Sequence, residues 1–331
     1  MRVAINGMGR IGRVLFRRLY NDPGIQLVAV NDIMAPENLL YLLKYDSVYG
    51  TFEGNLSLQN NQIETGHGLV RVVQDPQPAT LPWKELSVDV VIECSGRFSN
   101  KAGANQHLVA GAKKVLLSTT GSPDIPLMIY GFNHTSITAD TRIISPGGCM
   151  TNCSVHILSI LKEIGITSAQ LHFLHSYTSR QELVDAPHNQ VRRGRAAAES
   201  IIPVEIDLHH SLERVMPELQ GKLLSLSTRI PVANGAMADF TVQLERHTTV
   251  SEINSLFKKA AADQYRGILD YTQEELVSLD YKGNKHSCVI DGTLTSVVGN
   301  HLKLIAWFDN EYGFTSRMID WLYYWKAHSF R

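Results

Sequence analysis

Cys149 is the residue whose type and position point most directly to chemistry. It lies in the run S-P-G-G-C-M-T-N-C at 145–153, where a strand-like stretch over 141–145 breaks on Pro and Gly and a helical pattern begins. Unpaired N–H groups at a helix start favour thiolate over thiol, so we predict a nucleophile with a lowered pKa. A small buried apolar cysteine fits the same position equally well, since most free cysteines are of that kind.

A histidine partner for this thiol is offered by the strand-like run L-H-F-L-H-S-Y at 171–177. Side chains alternate along a strand, so His172 and His175 face opposite sides and only one of them can serve Cys149. Cysteine plus histidine is the minimum for a thiolate nucleophile with an acid/base partner, although a hydrogen-bonded structural histidine is the more frequent case. Cys153 lies one turn into the helix, and we interpret it as a packing residue.

The elements that would position a cofactor begin at the first residues. A short strand over 2–6 leads into G-M-G-R-I-G at 7–12, an amphipathic stretch to residue 20, a second strand over 26–31 and then Asp32. Strand, G-x-G-x-x-G, helix, strand and acid is the dinucleotide-binding order. The predicted cofactor residues of this unit are Gly7, Gly9, Arg10, Ile11, Gly12 and Asp32. Because Asp32 would bond the ribose diol and repel a 2′-phosphate, NAD is favoured over NADP.

Two further apolar runs extend the same sheet. Residues 88–94 and 114–118 are continuously hydrophobic, with a helical stretch over 101–112 between them. Continuous hydrophobicity is typical of strands covered on both faces, hence of a parallel sheet. Ser95, Gly96 and Ser118 then fall at carboxyl ends of strands, where open α/β sheets bind ligands, although loop residues of this type are equally ordinary.

The second half of the chain has a different pattern of predicted strands and helices. Strand-like runs over 223–229, 238–244 and 301–305 suggest an α+β domain with a mixed or antiparallel sheet. We therefore predict a Rossmann doubly wound domain over 1–148, a catalytic domain over 149–314, and a last helix over about 315–331 that packs back on the first domain. Arg192, Arg193 and Arg195 could bind a phosphorylated substrate, but a solvated face or a subunit contact is the more usual role.

Bulk composition excludes several classes of protein. The chain has 331 residues, 44% of them hydrophobic, and a net charge of −1. Basic residues are not in excess, so the composition does not indicate a nucleic-acid-binding protein. No run approaches the roughly 18 consecutive apolar residues that span a membrane. The start of the chain is interpreted as a strand rather than a signal peptide, and four scattered cysteines predict neither a disulfide framework nor a metal site. A cytoplasmic protein is expected.

Taken together, the segments resemble the glyceraldehyde-3-phosphate dehydrogenase family. The matching stretches are I-N-G-M-G-R-I-G-R at 5–13, L-K-Y-D-S-V-Y-G at 43–50, G-A-K-K-V-L-L-S at 111–118, C-M-T-N-C at 149–153, R-R-G-R-A-A-A-E-S-I-I-P at 192–203, P-E-L-Q-G-K at 217–222 and W-F-D-N-E-Y-G-F at 307–314. The resemblance implies that Cys149 is the nucleophile, that His175 is its acid/base partner and that Asn310 holds the nicotinamide amide. It also implies a homotetramer acting on a small phosphorylated aldehyde.

Departures from this family concentrate at the phosphate sites. Gly148 and Met150 stand where the family usually has Ser and Thr, and Ile206-Asp207 aligns with its Thr-Gly pair. Among the substrate-binding residues that the resemblance implies, Thr178 and Arg229 are kept, whereas Arg180 replaces an Asp. Three alternatives stay open at this point: a phosphorylating glyceraldehyde-3-phosphate dehydrogenase, a related erythrose-4-phosphate dehydrogenase that releases its thioester to water, and an NAD-binding regulatory protein without catalysis.

Overall fold

The computed structural model describes residues 1–66 and 68–329, and the chain divides into two compact units. Met1–Gly148 together with Arg317–Arg331 form the first unit, and Cys149–Ser316 form the second. The last two residues of the helix predicted over about 315–331 lie outside the described residues.

The first unit is built around an eight-stranded sheet, counted over its described residues, in the order β3-β4-β5-β2-β1-β6-β7-β8. Its strands are β1 Arg2–Asn6, β2 Gln26–Asn31, β3 Ser57–Gln59, β4 Gln62–Thr65, β5 Gly68–Val73, β6 Val90–Glu93, β7 Lys114–Leu117 and β8 Ile143–Ile144, and its helices before the second unit are α1 Arg10–Leu19, α2 Pro36–Lys44 and α3 Lys101–Val109. From β5 to β8 neighbouring strands pair in parallel, whereas β3, β4 and β5 pair antiparallel.

The parallel strands are buried as the hydrophobic runs predict. Every residue of β6 and β7 is buried, and so are the last four residues of β1. Because β1 pairs with β2 on one side and with β6 on the other, the strand order reverses there, which opens a crevice at the carboxyl ends. The predicted parallel sheet is confirmed from β5 to β8, and β3 and β4 add an antiparallel edge.

The second unit has a seven-stranded mixed sheet among its described residues, in the order β10-β11-β9-β12-β15-β14-β13. Its elements are α4 Cys149–Leu161, β9 Ile166–Ser176, β10 Ile202–Val204, α5 Leu208–Val215, β11 Leu223–Ile230, β12 Ala236–Leu244, α6 Val250–Ala262, β13 Leu269–Thr272, β14 Cys288–Val298 and β15 His301–Phe308. Helix α4 packs against α5 and α6. The predicted α+β domain is confirmed, with α5 and α6 as elements that the sequence analysis did not predict.

One row of side chains crosses the second sheet near the end of β9. The register pairs Ile202 with Arg229, Arg229 with His175, His175 with Ala236 and Ala236 with Phe308. All five side chains are buried. Residues in register across neighbouring strands lie side by side on one face, so the sheet itself sets an arginine beside a histidine and closes the row with apolar neighbours.

The last helix, α7, runs over Tyr312–His328, and its residues from 317 onward belong to the first unit. Its tryptophans are packed: Trp321 and Trp325 are fully buried, and Trp321 Nε1 donates to the Met128 carbonyl at 3.1 Å. Over the part of the chain that is described, no helix combines the length and the apolar character that crossing a membrane requires.

Candidate active site

Cys149 is the first residue of α4, at the turn where the sequence predicts it. Gly147 has a φ of +77°, which L side chains rarely adopt, and its N–H donates to Ser145 Oγ at 3.1 Å. The turn leaves Cys149 partly exposed, with its Sγ 3.6 Å from His175 Nε2. A thiol and an imidazole nitrogen within contact distance can exchange a proton directly.

The pKa of Cys149 differs from the sequence-based prediction. Burial raises the pKa of the thiol to about 11, and the carboxylate of Asp309 adds to the rise. The charge of Arg229 and the backbone N–H groups of Cys149 and Met150 act in the opposite direction. The helix start therefore favours the thiolate as expected, but desolvation outweighs it, and the predicted lowering of the pKa is wrong for this arrangement. Thiolate formation must then be assisted by a base.

His175 is the imidazole that lies within contact distance of the Cys149 thiol. It lies near the end of β9, is 3% exposed, and has its Nδ1 2.7 Å from the Ser176 carbonyl and 2.5 Å from Arg229 Nη1. Burial and the neighbouring Arg229 charge lower the pKa of the imidazole to about 3, so that it is neutral at physiological pH. His172 faces the opposite side, where its Nε2 lies 2.8 Å from Thr228 Oγ1, as strand alternation predicts.

Asn310 lies in the turn between β15 and α7. Its Oδ1 accepts from Ser176 Oγ at 3.1 Å and from the Gly235 N–H at 2.9 Å. Two donors on one atom identify that atom as the oxygen, and the Nδ2 group has no hydrogen-bond partner among the described residues. The buried Asp309 carboxylate accepts N–H groups from Glu311 and Tyr312 at the start of α7 and so holds this turn. The Asn310 amide is thus held in place through its Oδ1, and its Nδ2 group can donate to a ligand.

Positive charge gathers beside the thiol. Arg229 is 6% exposed, and burial and the like charge of Arg193 lower its pKa to about 10. Burial and the like charge of Arg180 lower the pKa of Arg193 in turn. Arg180 is exposed, and its N–H donates to Thr178 Oγ1 at 3.4 Å. None of these arginines forms an ion pair with a carboxylate in the described part of the chain, which is the character of an anion site.

The residues that depart from the family pattern, Gly148, Met150, Ile206 and Asp207, are all at least partly exposed. Gly148 has open space where a Cβ would stand, with nothing within 4 Å, so crowding does not explain the missing Ser. Met150 and Ile206 are partly exposed. Asp207 precedes α5, with its side chain 81% exposed and one carboxylate oxygen 3.8 Å from His210 Nε2. No ion pair joins Asp207 to Arg229 within the described residues.

The glycine loop of the first unit has the geometry that a dinucleotide needs. Gly7 has a φ of +94°, and a Cβ there would meet the Ser95 nitrogen at 2.4 Å. A Cβ on Gly12 would meet the Gly7 carbonyl oxygen at 2.1 Å, whereas Gly9 has nothing within 4 Å. Gly9 is the N-cap residue of α1 and carries no side chain there, so a ligand's pyrophosphate can come close to the start of that helix. The residues present therefore fit a bound pyrophosphate.

The remaining predicted cofactor residues border the same edge. Asp32 accepts the N–H groups of Met8 at 2.6 Å and Met34 at 3.0 Å, and it stays partly exposed for a ribose diol. Arg10 and Ile11 lie in the first turn of α1, where the Arg10 guanidinium pairs with Asp46 at 2.5 Å. Gly96 has a φ of +70°, and the Ser118 N–H donates to the Glu93 carbonyl at 2.9 Å.

A buried carboxylate that the sequence analysis did not single out organises this edge. Glu93 is 2% exposed and accepts four hydrogen bonds: from Asn6 Nδ2 at 2.5 Å, from the Ser95 N–H at 2.6 Å, from Ser95 Oγ at 2.5 Å and from His107 Nε2 at 2.8 Å. Trp83 Nε1 donates to His107 Nδ1 at 3.0 Å, so the imidazole carries its proton on Nε2. We call Asn6, Glu93, Ser95 and His107 the Glu93 cluster. The sequence does contain one indication of this cluster, because Glu93 is an acidic residue within the apolar run V-D-V-V-I-E-C.

Comparison with known proteins gives this geometry a family. The model for the glyceraldehyde 3-phosphate dehydrogenase NAD binding domain matches residues 1–101, and the model for the C-terminal domain of the same enzymes matches residues 148–310. Glyceraldehyde-3-phosphate dehydrogenase 1 of Bacillus cereus is 39% identical over 322 residues, which are 96% of this chain and 96% of that protein.

Proposed function

The chain belongs to the glyceraldehyde-3-phosphate dehydrogenase family and is an NAD-dependent dehydrogenase, and from this premise we propose that it oxidises a phosphorylated aldose through a covalent bond to Cys149. D-glyceraldehyde 3-phosphate is the substrate that the family favours. The observation that carries the proposal is the 3.6 Å separation of Cys149 Sγ from His175 Nε2, in a site bordered by arginines that pair with no carboxylate of the described residues.

The proposed first step is addition of the Cys149 sulfur to the aldehyde carbon. Because burial raises the thiol pKa to about 11, His175 Nε2 must accept the thiol proton as the carbon–sulfur bond forms. The backbone N–H of Cys149, at the open start of α4, supports the developing alkoxide. The protonated His175 then returns this proton to the alkoxide oxygen, so the product is a neutral hemithioacetal held on the enzyme and His175 is again free to act as a base.

In the second step His175 accepts the proton of the hemithioacetal hydroxyl, and Cys149 retains the acyl group as a thioester. NAD, when bound, supplies the hydride acceptor for this oxidation. The glycine loop and Asp32 would hold its pyrophosphate and ribose, and the free Nδ2 donor of Asn310 would serve its carboxamide oxygen.

The acceptor of the acyl group separates two candidate functions. Inorganic phosphate would give an acyl phosphate, as in a phosphorylating glyceraldehyde-3-phosphate dehydrogenase. Water would give a free acid, as in an erythrose-4-phosphate dehydrogenase. Gly148 and Met150 offer no hydroxyl to hold an attacking phosphate, and the open space at Gly148 leaves room beside the thiol. These residues favour the second candidate, while family frequency favours the first.

A single assay distinguishes the candidates. NADH formation is followed with D-glyceraldehyde 3-phosphate and with D-erythrose 4-phosphate, each with and without phosphate or arsenate. Strong dependence on phosphate with glyceraldehyde 3-phosphate supports the first candidate and excludes release to water. Turnover of erythrose 4-phosphate that is independent of phosphate supports the second. Binding of NAD without turnover of either sugar would identify a regulatory protein and overturn the proposal.

We propose further that the chain acts as a homotetramer in the cytoplasm. Apolar side chains on the second unit support assembly: Leu224 is 67% exposed, Val298 77%, and Val184 and Val191 on the arginine-rich segment 76% and 80%. Assembly would remove exposed apolar side chains of this kind from water. Sedimentation equilibrium of the purified protein tests this, and a mass of one chain, 36.9 kDa, would contradict it.

A further inference from the structure

Asp309 precedes Asn310 in the turn between β15 and α7. Its side chain is 1% exposed, and its Oδ1 accepts the N–H groups of Glu311 at 2.9 Å and Tyr312 at 2.8 Å. These two hydrogen bonds are of the kind that caps a helix, because they satisfy N–H groups at the start of α7. A cap needs no further donors, yet the same carboxylate accepts two more.

The two additional donors of Asp309 come from separate loops. Asn234 Nδ2, in the turn between β11 and β12, donates to Oδ1 at 3.1 Å. The Gly283 N–H, in the segment between β13 and β14, donates to Oδ2 at 2.8 Å. One buried carboxylate therefore joins three segments of the second unit. Hydrogen bonds to a charged acceptor are the stronger kind, and the loss of one leaves a buried donor without its partner.

Two consecutive residues of one turn bond two consecutive residues of the other. Asn234 bonds the Asp309 carboxylate, and the next residue, Gly235, donates its N–H to Asn310 Oδ1 at 2.9 Å. We call these four residues the turn clasp. Two adjacent bonds fix the angle between the turns as well as their distance, and Ser176 Oγ donates to the same Oδ1 from β9 at 3.1 Å. The clasp therefore determines which way the Asn310 Nδ2 group is directed.

We propose that Asp309 is a positioning residue for the cofactor, which holds the Asn310 Nδ2 donor in the orientation that serves the nicotinamide carboxamide. A hydrogen bond weakens steeply as its donor turns away from the acceptor, so a small rotation of the Asn310 amide is enough to lose this contact. Binding of the rest of NAD does not depend on it. The inference rests on the proposed function, in which Asn310 serves the carboxamide.

ADP-ribose is the probe that tests this role, because it has the pyrophosphate and both riboses of NAD but no nicotinamide. Calorimetry on the full chain, without any sugar, measures the dissociation constants of NAD and ADP-ribose. In Asp309→Asn one carboxylate oxygen becomes an amide nitrogen, so at least one donor loses its acceptor. We expect NAD to bind roughly tenfold more weakly and ADP-ribose to bind as before. Equal weakening of both ligands, or no weakening of NAD, overturns the proposal.

Asp291→Asn is the matched control. Asp291 is also 1% exposed and lies in the same sheet, on β14. It accepts the N–H and Oγ1 of Thr293 at 3.1 and 2.6 Å and Trp307 Nε1 at 3.1 Å, and none of these bonds joins the turn clasp. We expect a lower melting temperature and an unchanged ratio of NAD to ADP-ribose affinity. The same shift of this ratio in both variants would assign it to general loosening of the sheet and contradict the proposal.

Asn310→Ala shows whether Asp309 acts through Asn310. Alone it should weaken NAD and spare ADP-ribose, and Asp309→Asn added to it should weaken NAD no further. Additive losses would mean that the Asp309 charge acts directly on the cationic nicotinamide ring, which overturns the proposal. An unchanged affinity ratio in Asn310→Ala refutes the carboxamide role of Asn310 and this inference with it. An unchanged ratio in Asp309→Asn alone refutes only this inference.

Asn234→Ala is the milder variant, for use if Asp309→Asn does not fold. It removes one donor from the turn clasp and keeps the carboxylate with its bond to Gly283. We expect NAD to bind about threefold more weakly and ADP-ribose to bind as before. Unchanged binding of NAD contradicts the proposed clasp. These measurements use no aldehyde, so their failure is separate from a failure of the turnover assay.

Discussion

Each unit buries a histidine beside a charged side chain, and the two arrangements differ in whether all their hydrogen bonds can form together. In the Glu93 cluster four donors meet the four lone-pair positions of one carboxylate. Trp83 fixes the tautomer of His107 from the other side. Around His175, a donor and an acceptor compete for one nitrogen, and the Arg229 Nε lacks a partner among the described residues.

The difference teaches where the molecule is fixed and where it is free to respond. A fully satisfied buried network holds one geometry, because any change leaves a group without its partner. A buried network in which a donor and an acceptor meet the same nitrogen cannot form all its hydrogen bonds in one geometry. The cofactor edge is of the first kind and the thiol site of the second. Substitutions should therefore cost stability in one unit and activity in the other.

Cys149→Ala should produce the largest effect, on activity and not on stability. Removing the sulfur removes the covalent route, so we expect NADH formation with the preferred sugar phosphate to fall at least about 10⁴-fold. NAD binding, measured by calorimetry, should be unchanged, because the glycine loop belongs to the first unit.

Cys153→Ala is the matched control for this change. It is the same substitution one turn along the same helix, at a fully buried position. We expect it to lower the melting temperature slightly and to keep most of the activity. Comparable losses of activity in both variants would mean that α4 packing, rather than the Cys149 sulfur, limits turnover.

Glu93→Gln should have the next largest effect, on stability and cofactor affinity. Whichever carboxylate oxygen becomes the amide nitrogen, two donors lose their acceptor, and His107 cannot change tautomer because Trp83 needs its Nδ1. We expect roughly 2 to 4 kcal/mol less unfolding free energy in urea denaturation. The Ser95 backbone packs against Gly7 of the glycine loop, so a shift of Ser95 would disturb that loop. NAD affinity should therefore also fall, by about tenfold.

The control is Glu85→Gln, the same change on an exposed carboxylate of the same unit. Its side chain is 66% exposed and pairs with an arginine that is itself 41% exposed. Such pairs contribute little, so we expect a change within about 0.5 kcal/mol. If Glu93→Gln is equally mild, the four hydrogen bonds to Glu93 do not hold the cofactor edge.

Local patterns predicted the elements that carry the chemistry. The glycine loop, β2 at 26–31 and the turn at Cys149 follow from spacing. Strand alternation showed that only one of His172 and His175 can face the thiol, whereas the choice of His175 came from the family resemblance. The pattern at α6 was also available, since Thr249 caps it and accepts the Glu252 N–H, but the helix was not predicted.

What the sequence could not predict depends on contacts between distant residues. Glu93 and His107 meet through two elements, and the Arg229–His175 contact requires the parallel register of β11 on β9. The raised pKa of Cys149 has the same origin, because the helix start is a local feature and burial is not. Single residues therefore indicated the candidate nucleophile, while the burial that raises its pKa and the contact of Arg229 with His175 needed the fold.

The smallest expected effect concerns acid stability and again separates the two units. The folded protein holds the His175 pKa near 3, whereas the unfolded chain binds that proton near pH 6.5, so stability is complete above pH 6.5 and falls as the pH drops toward 3. Between pH 6.5 and 5.5 this linkage removes about 1 kcal/mol, and His175→Asn, which keeps an acceptor for Arg229, should not lose it. Urea unfolding at the two pH values measures the difference, with every other histidine common to both proteins. Equal losses of unfolding free energy in both proteins would mean that the imidazole is protonated in the folded state near its ordinary pKa, and that burial in the thiol site does not disfavour its charge.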